Sequence, residues 1–266
     1  MQFNLLTIKG IHYLKIASLL LLISFSNILS AQKNDSITVK NSRFGGAVTI
    51  QSKGISTIPN LTLGKPAIVF DMVVGRRLTF EPQFRYSLEG KPWAMVFWWR
   101  YKILPGSKFT LNASANTSLS FKSGNEIISD ASREIIRTTR YLAATLLPNY
   151  QFNKYFGLGT YLFYTKGIEK YITQNTYMIS LRPSISNIPV TKNIAARVGP
   201  EIYYLKMDDK DGVYFNATFL ISKKDFPLSI TALINKPLKS NIPAEYNHLW
   251  NICLVYTFNN EYRHLH

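Results

Sequence analysis

Between Leu78 and Tyr101 the chain alternates apolar and polar residues with a period of two on both sides of a turn, which excludes a helix for this stretch. Leu78, Phe80, Pro82, Phe84, Tyr86 and Leu88 share one face; Thr79, Glu81, Gln83, Arg85 and Ser87 share the other. After the turn Glu89-Gly90-Lys91-Pro92, the apolar face resumes with Trp93, Met95, Phe97, Trp99 and Tyr101, opposite Val96, Trp98, Arg100 and Lys102. A soluble sandwich would turn the apolar face to its core. A membrane barrel would turn that face to lipid and the polar one to its lumen. The hairpin alone fits both.

The N-terminus narrows the choice. Lys9 and Lys15, then an apolar run from 16 to 25, then Leu29-Ser30-Ala31, form the layout of a secretory signal peptide over residues 1–31. A retained anchor is the competing reading, and the run is short for a membrane span. No cysteine stands at the cleavage site, so lipoprotein-type attachment is excluded. The one cysteine, Cys253, excludes an intramolecular disulfide framework. Beyond residue 31 nothing reads as a transmembrane helix, so membrane residence requires a closed barrel. The chain carries 31 Lys and Arg against 15 Asp and Glu, a formal charge of +16, and only Lys9 and Lys15 of the basic residues leave with the signal. Such an excess favours an anionic partner. Export argues against nucleic acid, leaving outer-membrane lipid, an anionic glycolipid or an anionic solute in a basic channel.

After a flexible leader over residues 32–42, strand periodicity recurs near 43–52, 66–74, 78–88, 93–102, 108–121, 135–151, 155–166, 176–186, 195–206, 213–222, 227–236 and 249–258. The stretch from Lys108 to Phe121 sets Phe109, Leu111, Ala113 and Ala115 against Thr110, Asn112, Ser114 and Asn116, a polar face suited to a wet lumen. Pro148 is awkward in a ladder. Connections near 75–77, 105–106, 153–154, 188–192 and 223–225 are short. Those near 53–59, 122–133, 167–174, 207–212 and 237–245 are longer, with 89–92 as the exception. A soluble sandwich has no reason to sort its loops by end. The pattern predicts an all-β, closed antiparallel transmembrane β-barrel of about twelve strands over residues 43–258, with an outer apolar belt about 25 Å tall. Both termini fall on the short-turn side, and residues 259–266 are a C-terminal tail.

With the signal peptide, the aromatic hairpin from Phe84-Arg85-Tyr86 to Trp98-Trp99-Arg100-Tyr101, and a last strand ending in Phe258, residues 43–258 resemble a small bacterial outer-membrane β-barrel protein of the porin-like kind. The resemblance implies an outer-membrane address with periplasmic termini. It brings no catalytic or binding motif, although residues 259–266 depart from the pattern of a chain that ends on its terminal aromatic.

The inward face supplies the candidate chemistry. Asp71, Glu81 and Glu201 stand against Arg85, Arg100, Lys102, Arg137, Arg182 and Arg197, a basic excess in the lumen. Isolated charges there are costly, so pairing or hydration is expected. The cluster reads either as ion pairs filling a small barrel or as an anion-favouring conduit. Trp93, Trp99, Tyr101, Tyr204, Trp250, Tyr256 and Phe258 are expected outward as an interfacial girdle, in preference to a sugar-binding set. An enzyme is not expected, nor is a cofactor. His248 is the one plausible catalytic histidine. The arrangement of an outer-membrane lipid hydrolase would need Asn247 to orient it, yet neighbours on a strand point to opposite faces. Asp208-Asp209-Lys210-Asp211-Gly212 lacks the spacing of a calcium loop.

These features predict a narrow porin-like pore or structural envelope protein, with a barrel subunit of a larger envelope assembly as the alternative. Register adds one contact. A four-residue turn at 89–92 sets Glu81 opposite Arg100, and a three-residue turn at 75–77 sets Asp71 opposite Glu81. Two carboxylates at that distance repel unless a cation or a shared proton intervenes, so Arg100 is expected to lean over Glu81, with Arg85 as a second partner.

Overall fold

The structure, a computed structural model, describes residues 41–128, 131–243 and 248–263, and the signal peptide, most of the leader, Asn247, His264 and His266 lie outside the described residues. Twelve strands follow in chain order: β1 (Asn41–Gln51), β2 (Ala67–Gly75), β3 (Leu78–Ser87), β4 (Pro92–Pro105), β5 (Phe109–Ile128), β6 (Ala131–Gln151), β7 (Phe156–Gly167), β8 (Asn175–Pro189), β9 (Ile194–Met207), β10 (Lys210–Lys223), β11 (Leu228–Ser240) and β12 (Leu249–Arg263). Each pairs antiparallel with its chain neighbours, and β1 pairs with β12 from Asn41 opposite Arg263 to Gln51 opposite Cys253, which closes the barrel. The expected tail is therefore wall as far as Arg263, because β1 offers it a full-length edge to complete.

The barrel is apolar outside and polar within. Ile179, Leu181, Ile202, Ile221, Ile230 and Leu254 all point outward and exposed, while Thr145, Thr165, Ser180, Asn216, Asn235 and Asn251 point inward and are buried. Water would penalise that outer surface, whereas hydrocarbon requires it, and closure leaves no strand of the wall without neighbours on both sides. This is the construction of a membrane-spanning barrel.

Loop sorting holds in part: besides the 89–92 turn, two of the five connections expected to be long are tight. Residues 122–133 are no gap: β5 and β6 continue as a ribbon, paired from Phe109 opposite Tyr150 up to Ile128 opposite Ala131. Their outer neighbours stop early, since β4 reaches only Ser120 and β7 only Tyr141. Residues 121–128 and 131–139 therefore rise above the wall as a two-stranded ribbon that pairs with neither β4 nor β7. At 207–212, a tight turn through Asp208, at φ +53°, replaces the expected loop. Pro148 remains in β6, opposite Leu111 of β5, and the ladder to β7 skips Leu147 and Pro148 between Leu146 and Asn149. A residue without an N–H fits only where such a gap is tolerated.

The register of β2 to β4 is two residues from that expected. Ser87 N–H donates to the Lys91 carbonyl, so the turn holds Leu88, Glu89 and Gly90, with Gly90 at φ +84°. A β-bulge at Trp93 then adds a residue, after which Arg85 faces Ala94, Glu81 faces Trp98 and Thr79 faces Arg100. Across β2, Gly75 faces Thr79 and Asp71 faces Gln83, not Glu81. A shift of two preserves the face of every residue outside the bulge.

Candidate functional site: a stoppered, basic lumen

The connection between β1 and β2 does not extend into solvent. It folds on itself and enters the barrel. Gly54 N–H donates to the Lys65 carbonyl, Leu63 N–H returns to the Gly54 carbonyl, and Ser56 N–H donates to the Thr62 hydroxyl oxygen. A single 3₁₀ turn at Pro59–Leu61 completes a compact Ω-type loop. Gly54 leaves little room for a side chain, since a Cβ there would lie 3.0 Å from both Leu63 Cβ and the Trp93 ring.

Inward side chains hold the loop at three places. The Tyr203 hydroxyl donates to the Thr57 carbonyl at 3.2 Å and accepts from the Asn235 amide at 2.8 Å. Trp93 Nε1 donates to the Leu61 carbonyl at 2.9 Å, and the Asn251 amide donates to the Lys53 carbonyl at 2.8 Å. Beneath these bonds Ile58 is buried against Met178, Tyr203, Leu205, Met207, Tyr214 and Ile242. Leu63 packs on Ala67, Val69 and Trp93. Two apolar clusters thus seat the segment in the long-loop half of the lumen, with cavities of about 230 and 240 Å³ left between it and the wall.

Trp93 is a correction: it was expected in the outer girdle and is only 3% exposed, inside the barrel. The bulge that consumes one residue at this position turns its side chain inward. The Arg85 guanidinium lies 5.4 Å from its ring centroid. The other expected girdle residues point outward and split between the ends. Tyr204 and Trp250 lie near the long loops; Trp99, Tyr101, Tyr256 and Phe258 lie toward the short turns, Phe258 packed on Phe44.

The expected lumen charges fall into two groups. In the first, Arg100 Nε reaches Glu81 at 3.1 Å, the Thr79 hydroxyl donates to the same carboxylate at 2.8 Å, and Arg85 donates to Gln83 Oε1 at 2.8 Å. Asp71 belongs to this wall through its Gln83 partner. The Arg100 pair survives the altered register because a long arginine spans the diagonal from the residue opposite Thr79. In the second, Arg182 lies 3.6 Å from Glu201 and over the Tyr161 ring, and the Asn216 amide donates to Glu201. Arg197 joins it on the wall of a cavity of about 520 Å³ in the short-turn half of the lumen, against β5 to β10, with Asn149, Gln151 and Ser184. Arg137 is a second correction. It stands on the protruding β5–β6 ribbon, paired with Glu126, because the ribbon outruns the wall at that height. His248 is exposed just before β12 and makes no side-chain hydrogen bond among the described residues.

Replacing Arg100 with alanine strands Glu81 in the lumen with Thr79 as its remaining donor. The expected cost is about 1–3 kcal/mol, read as a lower transition temperature in a heat-modifiability gel shift. Arg100→Lys should recover part of it, and an unchanged transition would deny the pair a structural role.

No protein-family model matches the chain, and no curated protein matches it. Among solved structures it is similar to an outer membrane channel from Pseudomonas putida F1, at 9% identity over 85% of this chain and 98% of that one, with a TM-score of 0.48. It is also similar to the KdgM porin in complex with disordered oligogalacturonate, at 10% identity over 81% and 99% of the two chains, TM-score 0.45. A third similar structure is LpxR from Salmonella typhimurium, at 9% identity over 80% and 99%, TM-score 0.43.

Proposed function

We propose that the protein is a bacterial outer-membrane barrel acting as a narrow, anion-favouring pore that its own β1–β2 segment holds shut. The observation that carries this reading is the segment's position. It occupies one half of the lumen while the other half stays hollow, and the hollow half is lined by Arg182 and Arg197 with only Glu201 opposing them. A purely structural barrel has no need of a shaped stopper above a basic vestibule. A signal-like N-terminus and an apolar outer face support the address. An arginine-lined path lowers the barrier for negative charge.

Planar-bilayer recordings test the proposal. The intact barrel should be silent for most of the record. A variant with residues 55–63 replaced by two glycines should show steady discrete conductance, with a reversal potential in a salt gradient that reports anion preference. A folded deletion variant that stays silent, or that prefers cations, would refute the pore. The β5–β6 ribbon supports a second reading as a subunit of an envelope assembly, since Ile127 near its tip is 81% exposed. A photo-crosslink from position 127 to one stoichiometric envelope protein in native membranes would favour that reading.

A further inference from the structure

The five short turns share a charge. Arg76 and Arg77, Lys108, Lys154, Lys192, and Lys223 with Lys224 all lie at that end and are exposed. None of them belongs to any ion pair among the described residues, while Glu89, Glu126, Glu134 and Glu169 are paired near the opposite end. Three of the basic groups are laid over aromatics: Arg77 over Tyr101 at 5.2 Å, Lys154 over Tyr155 at 4.9 Å and Lys223 over Phe226 at 5.7 Å. Those contacts hold the charges beside the barrel wall at the edge of the apolar belt, the level of lipid headgroups.

At one place on this rim the charge meets a groove. An outward cavity of about 290 Å³ lies on the wall between Ile194, Ile221, Phe226, Leu228, Ile230 and Leu254, with Lys223 at its short-turn lip. Lys224 N–H donates to the Asn193 carbonyl at 2.8 Å, which ties the β10–β11 turn to the β8–β9 turn and sets Lys192, next in sequence to Asn193, in the turn beside Lys223 and Lys224. Asp225, the one acid in these two turns, makes no ion pair with the lysines. An apolar groove that ends at two joined turns carrying three lysines and one acid fits a molecule with a hydrocarbon tail and an anionic head. We infer that the Lys192–Lys223–Lys224 lip and the groove below it form a site for one anionic diacyl phospholipid, an acyl chain in the groove and the phosphodiester on the lysines. This rests on the barrel lying in a membrane and not on its conducting.

The test is native mass spectrometry of the detergent-purified barrel with phosphatidylglycerol and phosphatidylcholine of the same chains. The wild type should retain one phosphatidylglycerol under activation that strips phosphatidylcholine. Each of Lys192→Gln, Lys223→Gln and Lys224→Gln should weaken retention about fivefold, since a basic residue near an anionic surface contributes about 1 kcal/mol. Ile230→Trp should fill the groove and weaken both lipids while the lysines stand. Equal retention of the two lipids by the wild type, or an unchanged triple glutamine variant, would overturn the site. So would displacement of the lipid by millimolar inorganic phosphate, or retention of soluble peptidoglycan fragments at the same lysines. A chain that stays soluble without detergent and keeps no lipid would refute the membrane reading itself.

Discussion

Truncation of Trp93 to alanine is expected to unseat the stopper and destabilise the barrel together. The indole is almost fully enclosed, donates to the Leu61 carbonyl at 2.9 Å, and fills the space between Leu63, Ala67 and Val69. Deleting a buried aromatic of this size costs about 3–5 kcal/mol where the site cannot collapse. Collapse is hindered here because Ala67 and Val69 belong to a rigid wall. The Arg85 guanidinium also loses the ring beneath it. Denaturant titration should show the loss in midpoint, and single-channel recordings should show frequent openings absent from the wild type. Trp93→Phe separates the contributions: it keeps most of the packing, loses the donor, and should cost about 1–2 kcal/mol with rarer openings. A Trp93→Ala barrel as stable and silent as the wild type would show that the segment is held elsewhere.

The second large effect belongs to the outer face. Leu181 stands midway along β8, between Thr160 of β7 and Ile202 of β9, and is 52% exposed. An arginine there should destabilise the folded barrel by about 2–4 kcal/mol in a bilayer, the cost of a lipid-facing charge at mid-depth. The paired control is Ser180→Arg, one residue along and facing the lumen, which exchanges a lipid penalty for crowding beside Tyr161 and Tyr203. In thin, fluid detergent micelles the Leu181→Arg cost should shrink. Equal stability of Leu181→Arg and wild type in bilayers would remove lipid from that face.

Much of the wall was legible because a period of two is a local property. Leu181 and Ile202 alternate with Arg182 and Glu201 whatever strand lies beside them, and the turns announce themselves by glycine, asparagine and lysine. Register was legible only to within a turn's length. The Arg100 and Glu81 contact was right in its partners and wrong in its row, since nothing local distinguishes a four-residue turn from a three-residue turn followed by a bulge. Trp93 failed for the same reason: periodicity assigns a bulged residue to the wrong face by construction. Arg137 failed because alternation reports which side a residue takes, not whether neighbouring strands reach that height. The stopper was the larger omission, and it left a trace. Ile55, Ile58, Leu61 and Leu63 are more apolar than a solvated connection requires, and a long connection carrying its own apolar residues calls for something to bury them.

The stems of that connection have a consequence for how the lumen behaves in time. Gln51 and Ala67 sit directly opposite one another in the ladder, so both ends of the segment are clamped to the rim. A displaced stopper cannot diffuse away; it remains within its own contour length of its seat, at an effective concentration on the order of millimolar. The proposed closure therefore needs only weak contacts, three hydrogen bonds and the packing of Ile58 and Leu63, which between separate molecules would scarcely hold.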